Sequence, residues 1–136
     1  MTVKLLSKVG TIAGLGFAAA VIAGTAASAA TITVTPSSGL ADGQSVSVSG
    51  SGMLASDTYH IGECAAVSAT SYACGPNVDV KSDASGKLST KLAVKRTFVG
   101  AAADGSTSQI DCKSVQCVIG VFDDSFNGGA VPISFK

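Results

Sequence analysis

The sequence predicts an all-β domain built as a β-sandwich, and three observations support that prediction. Several short segments alternate apolar and polar residues with a period of two, as half-buried antiparallel strands do. Glycine-rich turn sequences such as PSSGLADG, DASGK and NGGAVP separate these segments. No sustained helical period follows the N-terminal apolar stretch. Short strands at regular spacing, joined by such turns, are typical of a sandwich.

Three segments show the alternation most clearly. In TITVTP, Ile32 and Val34 share one face, and in GQSVSVSGSG the valines Val46 and Val48 stand against serines. In KLSTKLAVK one face carries Leu88, Thr90, Leu92 and Val94, and the other carries Lys87, Lys91 and Lys95. Each pattern predicts a strand with one buried face.

The first 30 residues are predicted to be a signal peptide rather than part of the fold. Lys4 and Lys8 precede an apolar section from about Val9 to Ala23, and the segment ends in small residues, ASAA. A signal peptidase recognises this pattern, and the apolar section is short for a transmembrane helix. We expect cleavage after Ala29 or Ala30 and a single exported domain over residues 31–136.

Loss of the signal peptide changes the charge of the protein. The whole chain has nine basic and nine acidic residues, and removal of Lys4 and Lys8 leaves seven against nine. The mature domain therefore has a charge of −2, which argues against direct binding to nucleic-acid phosphates.

All four cysteines lie in the mature domain: Cys64, Cys74, Cys112 and Cys117. In an exported chain, an even number of cysteines indicates disulfides, and four cysteines allow three pairings. Pairing within each local segment is the most economical of the three. Each short loop would then contribute about 2–3 kcal/mol in the chain-entropy model.

The sequence offers little for catalysis or metal binding. It contains one histidine, His60, and no nucleophile-elbow motif, although sequence alone leaves a Ser-His-Asp arrangement open. Oxidised cysteines and a single histidine do not make a zinc site. The Asp123–Asp124 pair is predicted to lie in a solvated acidic loop, and Lys95–Arg96 at the surface end of a strand.

Several segments, in order along the mature chain, resemble the neocarzinostatin family, the apoproteins of enediyne antibiotic chromoproteins. They are TVTPSSGLADGQSVSVSGSG, YHIGECAAV, ACGP, DASGKLSTKLAVKRTFVG, DGSTSQIDCKSVQC and AVPISFK. The resemblance implies a seven-stranded immunoglobulin-like sandwich with a small two-stranded ribbon beside a ligand cleft. It also implies the two local disulfides, Cys64–Cys74 and Cys112–Cys117.

The resemblance further implies a secreted, monomeric carrier without enzymatic activity. Such a carrier holds an enediyne-type chromophore non-covalently and shields it, and it meets DNA only through the bound or released chromophore. No catalytic cofactor or membrane partner is implied. We expect the cleft to involve nine residues: His60, Glu63, Ala66, Tyr72, Val78, Ala103, Val118, Gly120 and Phe122.

The expected cleft departs from the pattern of the family's name member. That protein has an aromatic residue where this chain has Ala66 and Ala103, and a third near the position of Val78. At two other positions, Tyr72 and Phe122, this chain has larger side chains than the name member. These differences leave the identity of the cargo open.

Two polar positions also differ from the pattern. The residue before the first cysteine is commonly Gln and here is Glu63, and His60 stands where the name member has Asp. Each of these side chains either reaches the floor of the cleft or faces solvent.

Two other classes of function compete with the carrier. One is an immunoglobulin-like adhesion or structural module that has lost the cargo, and the other is an enzyme such as a hydrolase. A carrier needs Ala66, Tyr72, Ala103 and Phe122 around one concavity, whereas a module does not.

Overall fold

A computed structural model describes residues 30–136, and the predicted signal peptide lies outside that range except for Ala30. The described residues form nine strands and no helix. The strands are β1 (Thr31–Thr35), β2 (Ser45–Ser51), β3 (Thr58–Ser68), β4 (Ser71–Lys81), β5 (Leu88–Ala93), β6 (Thr97–Ala101), β7 (Thr107–Asp111), β8 (Cys117–Phe122) and β9 (Gly128–Ile133). The predicted all-β class is confirmed.

The strands form two antiparallel sheets. The smaller sheet has the order β1-β2-β5, and the larger has the order β9-β8-β3-β4-β6-β7. Strands β3 and β4, each 11 residues long, form the centre of the larger sheet. Strand β3 pairs with β4 on one side and with β8 on the other.

The core lies between the two sheets, where the apolar faces predicted from the sequence meet. Strand β2 alternates strictly, with Val46 and Val48 almost completely buried and the serines between them exposed. From the larger sheet, Tyr59, Ile61 and Ile119 pack into the same core. The period-2 pattern predicted these faces because successive side chains of a strand point to opposite sides.

The larger sheet ends in a two-stranded ribbon beside the sandwich. The ribbon consists of β6 and β7, which pair over five residues. It joins the larger sheet through a single pairing, Cys74 with Ala101. This narrow attachment leaves space between the ribbon and the end of the β3–β4 hairpin, and the candidate site occupies that space.

Both local disulfides are present, Cys64–Cys74 between β3 and β4 and Cys112–Cys117 between the end of β7 and the start of β8. No cysteine of residues 30–136 is free. Over the same range, the chain contains no helix of the length and hydropathy needed to cross a membrane.

Candidate ligand-binding cleft

A cavity of about 560 Å³ opens between the β3–β4 hairpin, the β6–β7 turn and strand β8. Its lining is mostly apolar and comes from five parts of the chain. The lining residues are Cys64, Thr70, Ser71, Tyr72, Cys74, Ala101, Ala102, Ala103, Val118, Gly120, Phe122, Phe126 and Ala130. The cavity thus brings together five of the nine residues predicted from the sequence: Tyr72, Ala103, Val118, Gly120 and Phe122.

The floor of the cavity depends on a glycine beside the first disulfide. A Cβ atom at Gly120 would lie 3.1 Å from the ring of Phe122 and 3.6 Å from the Sγ of Cys64. Even an alanine side chain would therefore occupy the floor and press on the aromatic wall. The disulfide beside Gly120 fixes this part of the cavity, because Cys64 and Cys74 are direct partners in the β3–β4 register.

Aromatic side chains flank the opening. Tyr72 is 50% exposed and Phe126 is 82% exposed, whereas Phe122 is half-buried. The sequence analysis did not select Phe126, which lies in the β8–β9 loop. The sequence could have indicated Phe126, because it stands inside the polar, turn-forming segment DDSFNGG. A loop of this kind has no core in which to bury a phenylalanine ring.

A second cavity of about 190 Å³ adjoins the first. The two cavities share Cys64, Cys74, Gly120, Phe122 and Phe126, so the aromatic pair and the disulfide stand between them. The smaller cavity also takes in His60, Gly62, Asn77 and Asp123. His60 is therefore placed beside the main cavity rather than in it.

His60 lies between two carboxylates. Its Nδ1 is 2.7 Å from Oδ1 of Asp79, and its Nε2 is 2.7 Å from Oδ1 of Asp124. The hydrogen bonds to Asp79 and Asp124 raise the pKa of His60 above its ordinary value of 6.5, against a smaller effect of burial. Because each ring nitrogen contacts a carboxylate, neither faces a hydroxyl nucleophile, and the geometry does not suit a catalytic triad.

The Asp123–Asp124 pair divides into one buried and one exposed residue. Asp124 is exposed, as the sequence predicts for both, but Asp123 is 6% exposed and organises the loop. Asp123 accepts hydrogen bonds from the backbone N–H groups of Ser125 and Asn127 and from the side-chain amide of Asn127. The Asn127 amide is the largest of the effects that lower the pKa of Asp123 to about 2.

Asp57 stands next to Asp123. The neighbouring Asp123 carboxyl group and shielding from water both raise the pKa of Asp57. In the described part of the chain, the buried Oδ2 of Asp57 has no hydrogen-bond partner. A buried carboxyl oxygen without a partner favours the neutral acid over the carboxylate.

Two of the predicted residues, Glu63 and Val78, lie at a third cavity of about 280 Å³, together with Pro76, Lys95 and Phe98. Glu63 is 6% exposed, and its Oε1 accepts a hydrogen bond from the backbone N–H of Lys95. Glu63 also clusters with Cys112 and Cys117, but these cysteines form a disulfide and do not offer thiolate ligands to a metal.

Ala66, the remaining predicted residue, lies just beyond the cavity lining. It is exposed and stands directly opposite Tyr72 in the β3–β4 register. Directly opposed residues of an antiparallel pair present their side chains on the same face, about 5 Å apart. Ala66 is therefore adjacent to the aromatic rim, and its role in binding stays a prediction.

Comparison with known proteins identifies the family. Residues 32–135 match the neocarzinostatin family. The chain belongs to this family. It is 37% identical over 108 residues to macromomycin of Streptomyces macromomyceticus, covering 76% of this chain and 75% of that protein. It is also 37% identical over 127 residues to the antitumor antibiotic C-1027 apoprotein of Streptomyces globisporus, covering 91% of this chain and 87% of the relative.

Solved structures of the neocarzinostatin family share the fold. Macromomycin superposes with a TM-score of 0.76 at 38% identity, covering 79% of this chain and all of the macromomycin chain. The solution conformation of apokedarcidin gives a TM-score of 0.62 at 32% identity, covering 79% of this chain and 98% of the other. The predicted family and sandwich are confirmed.

Proposed function

We propose that this protein is a secreted carrier that binds an apolar, polycyclic chromophore non-covalently in the 560 Å³ cavity, protects it and delivers it. The observation that carries the proposal is the cavity itself. Its volume lies in the range of small-molecule sites, which are typically about 300–1,000 Å³. Its lining combines three aromatic rings with small side chains, a composition that suits a flat apolar ligand.

The cavity is preformed on rigid elements. The Cys64–Cys74 disulfide joins the two central strands at the cavity wall. A wall that is already ordered lowers the entropic cost of binding. A reactive cargo held there is removed from water and from dissolved thiols, which is the protection that a carrier provides.

The relatives support a small-molecule cargo. One is named an antitumor antibiotic apoprotein, and a structural neighbour is named apokedarcidin. An apoprotein is the protein part of a complex with a non-protein group. By family membership we propose that the cargo of this chain is an enediyne-type chromophore with DNA-cleaving antibiotic activity.

The remaining parts of the proposal follow from a carrier role. The protein acts without catalysis and as a monomer, and residues 1–30 direct its export. The mature charge of −2 does not favour binding to the phosphates of DNA. Contact with DNA is therefore assigned to the bound or released chromophore.

The deciding experiment is purification of the protein from its producing culture, followed by organic extraction and mass analysis of the extract. A single apolar, polycyclic compound, released stoichiometrically and rebound by the extracted protein, is the expected result. Protein that is repeatedly isolated without any bound compound, and that rebinds nothing from the culture extract, would instead support a structural module without cargo.

A further inference from the structure

The β8–β9 loop, residues 123–127, is connected to the wall of the cleft through His60. The imidazole contacts Asp124 in the loop at 2.7 Å through Nε2, and Asp79 on β4 at 2.7 Å through Nδ1. His60 itself lies on β3. One side chain thus joins two strands of the cleft wall to the loop beside the opening.

The loop is closed by its own hydrogen bonds. Asp123 closes it internally, by accepting hydrogen bonds from the backbone N–H groups of Ser125 and Asn127 and, through its carbonyl oxygen, from that of Phe126. Phe126 has a φ of +63°, which is a genuine outlier for a bulky side chain. Such a conformation persists where the surroundings enforce it, and it marks functional segments.

Phe126 is the part of the loop that meets the cleft. It lines both the 560 Å³ and the 190 Å³ cavity, yet it is 82% exposed. A side chain in this position can cover a ligand when the loop is held in place, and it leaves the opening free when the loop is displaced.

We propose that His60 is a proton-dependent clasp: its imidazolium form bridges Asp79 and Asp124 and holds Phe126 over the cleft, and loss of one proton frees the loop and speeds release of the ligand. The inference rests on the proposed carrier function. It adds to that function a residue that controls retention and a condition, rising pH, that favours release.

The chemistry of imidazole sets the direction of the effect. An imidazolium donates from both nitrogens, whereas a neutral imidazole has one N–H and one lone pair. In the neutral form, one of the two 2.7 Å contacts would set a lone pair against a carboxylate. The raised pKa of His60 means that the clasp is complete below 6.5 and is lost as pH rises through the higher value of the folded protein.

The other charged groups near His60 do not reverse this direction. Asp123 in the loop adds negative charge beside Asp124, because its hydrogen bonds lower its pKa and keep it ionised, and this charge favours the imidazolium. Asp57 before β3 lies next to Asp123, and its raised pKa makes its own negative charge a weaker contribution. Lys81 on β4 opposes Thr58 on β3, two residues before His60, and therefore lies on the same face of the strand pair. Its distance along the strand leaves the two contacting carboxylates dominant.

A ligand-free titration tests the clasp directly. His60 is the only histidine in the sequence, so its imidazole ¹⁵N signals in the secreted form are unambiguous. We expect them to titrate above 6.5, and the amide signals of residues 123–127 to shift with the same midpoint. His60→Gln should abolish the shift of the loop signals, and Asp124→Asn provides a second test should His60→Gln fail to fold. The proposal would be overturned if the chemical shifts of the loop amides did not change as His60 titrates.

Release is measured with a neutral naphthalene fluorophore, prodan, whose binding in the cleft is checked by loss of binding in Tyr72→Ala. We expect its dissociation rate to increase about 1.5- to fivefold from mildly acidic to mildly alkaline pH, the range expected when one exposed charged contact is lost. From the Asp124→Asn variant, prodan should dissociate fast over the whole pH range. Arg96→Gln is the control, because it removes a comparable exposed ion pair with Asp111 outside the cleft and should keep the pH dependence.

The outcomes separate the two proposals. Bound prodan whose dissociation does not change with pH would overturn the clasp and leave the carrier function standing. Failure of both prodan and the culture extract to bind would count against the carrier function, while the titration of the loop signals would still decide the clasp.

Discussion

The carboxylate Oε2 of Glu63 lies 3.4 Å from the Sγ of Cys112, a sulfur that belongs to a disulfide and has no proton to donate. Only a protonated Glu63 can form a hydrogen bond there, with the sulfur as a weak acceptor. Burial is the largest cause that raises the pKa of Glu63 from 4.5 to about 7, and it outweighs the opposing hydrogen bond from the Lys95 backbone. The ionised form is therefore costly in this fold.

The first prediction is that Glu63→Gln stabilises the protein at neutral to alkaline pH. In the native chain, the folded state binds the Glu63 proton more tightly than the unfolded state, so stability falls as pH rises from 4.5 to about 7. A pKa change of this size corresponds to roughly 3 kcal/mol at most. Glutamine keeps the acceptor for Lys95 and has no charge to bury, so we expect a gain of about 1–3 kcal/mol.

Denaturant unfolding over a pH series measures this effect. The two proteins should be equally stable at acidic pH and diverge above it. Asp104→Asn is the matched control, because hydrogen bonds from Ser106 lower the pKa of Asp104, and its substitution should reduce stability at neutral pH instead. A Glu63→Gln variant that is less stable than the parent at alkaline pH would show that the ionised carboxylate is favourable.

The second prediction separates the roles of the two disulfides. Replacement of Cys64 and Cys74 by alanine should cost about 2–3 kcal/mol of stability and should also weaken ligand binding, because both residues line the main cavity. Replacement of Cys112 and Cys117 should cost a similar amount of stability with little effect on affinity, because neither residue lines that cavity.

Chemical denaturation and fluorescence titration with the native cargo, at a temperature where both variants remain folded, make this comparison. Equal losses of affinity in the two variants would mean that the first disulfide acts only through global stability and not as a wall of the site.

The third prediction concerns the rim beside the hairpin tip. Ala66→Trp should obstruct the native cargo, since Ala66 lies opposite Tyr72 and a large ring there would enter the space in which we propose that the cargo binds. Overpacking of this kind costs about 1–3 kcal/mol, or roughly 5- to 150-fold in affinity. Tyr72→Ala should also weaken binding, in this case through lost contact.

Fluorescence quenching by the cargo measures both affinities, and circular dichroism confirms that each variant is folded. An Ala66→Trp protein that binds the cargo as well as the parent would place Ala66 outside the binding site. If both substitutions are neutral, the cavity beside Tyr72 is not the site, and the structural-module alternative gains support.

The fourth prediction is that the cargo-free protein does not bind duplex DNA appreciably at physiological salt. The mature domain has a charge of −2, and Arg96 of its one basic dipeptide is already paired with Asp111. The exposed lysines Lys87, Lys91 and Lys95 of one strand face would neutralise only a few phosphates, against the net negative charge of the domain. Titration of cargo-free protein against labelled DNA at two salt concentrations is the measurement, and micromolar affinity with a steep salt dependence would contradict it.

The local sequence determined the class of fold and most of its buried faces. Alternation of valine with serine marked β2, and the structure buries Val46 and Val48 as that pattern requires. This works because a strand presents its side chains with a period of two, whatever its neighbours are. Cysteine spacing, together with the family resemblance, likewise led to both disulfides.

The sequence predicted the residues of the candidate site only in part. Tyr72, Ala103, Val118, Gly120 and Phe122 meet at the main cavity as the resemblance implied, whereas Glu63 and Val78 lie at another cavity. The reason is the geometry of the central strands, because Glu63 lies in a bulge between Gly62 and Cys64 that interrupts the β3–β4 register. Residues a few positions apart therefore border different spaces.

What the sequence determined by itself is the secondary structure, the family and the apolar character expected of the cleft, because these depend on near neighbours along the chain and on residue type. Only the tertiary structure decided that His60 joins Asp79 and Asp124, which are 19 and 64 residues away, and that Phe126 lies at the cleft. Contacts at such separations depend on which strands become neighbours and where each loop ends. Those relationships arise only when the two sheets have packed together.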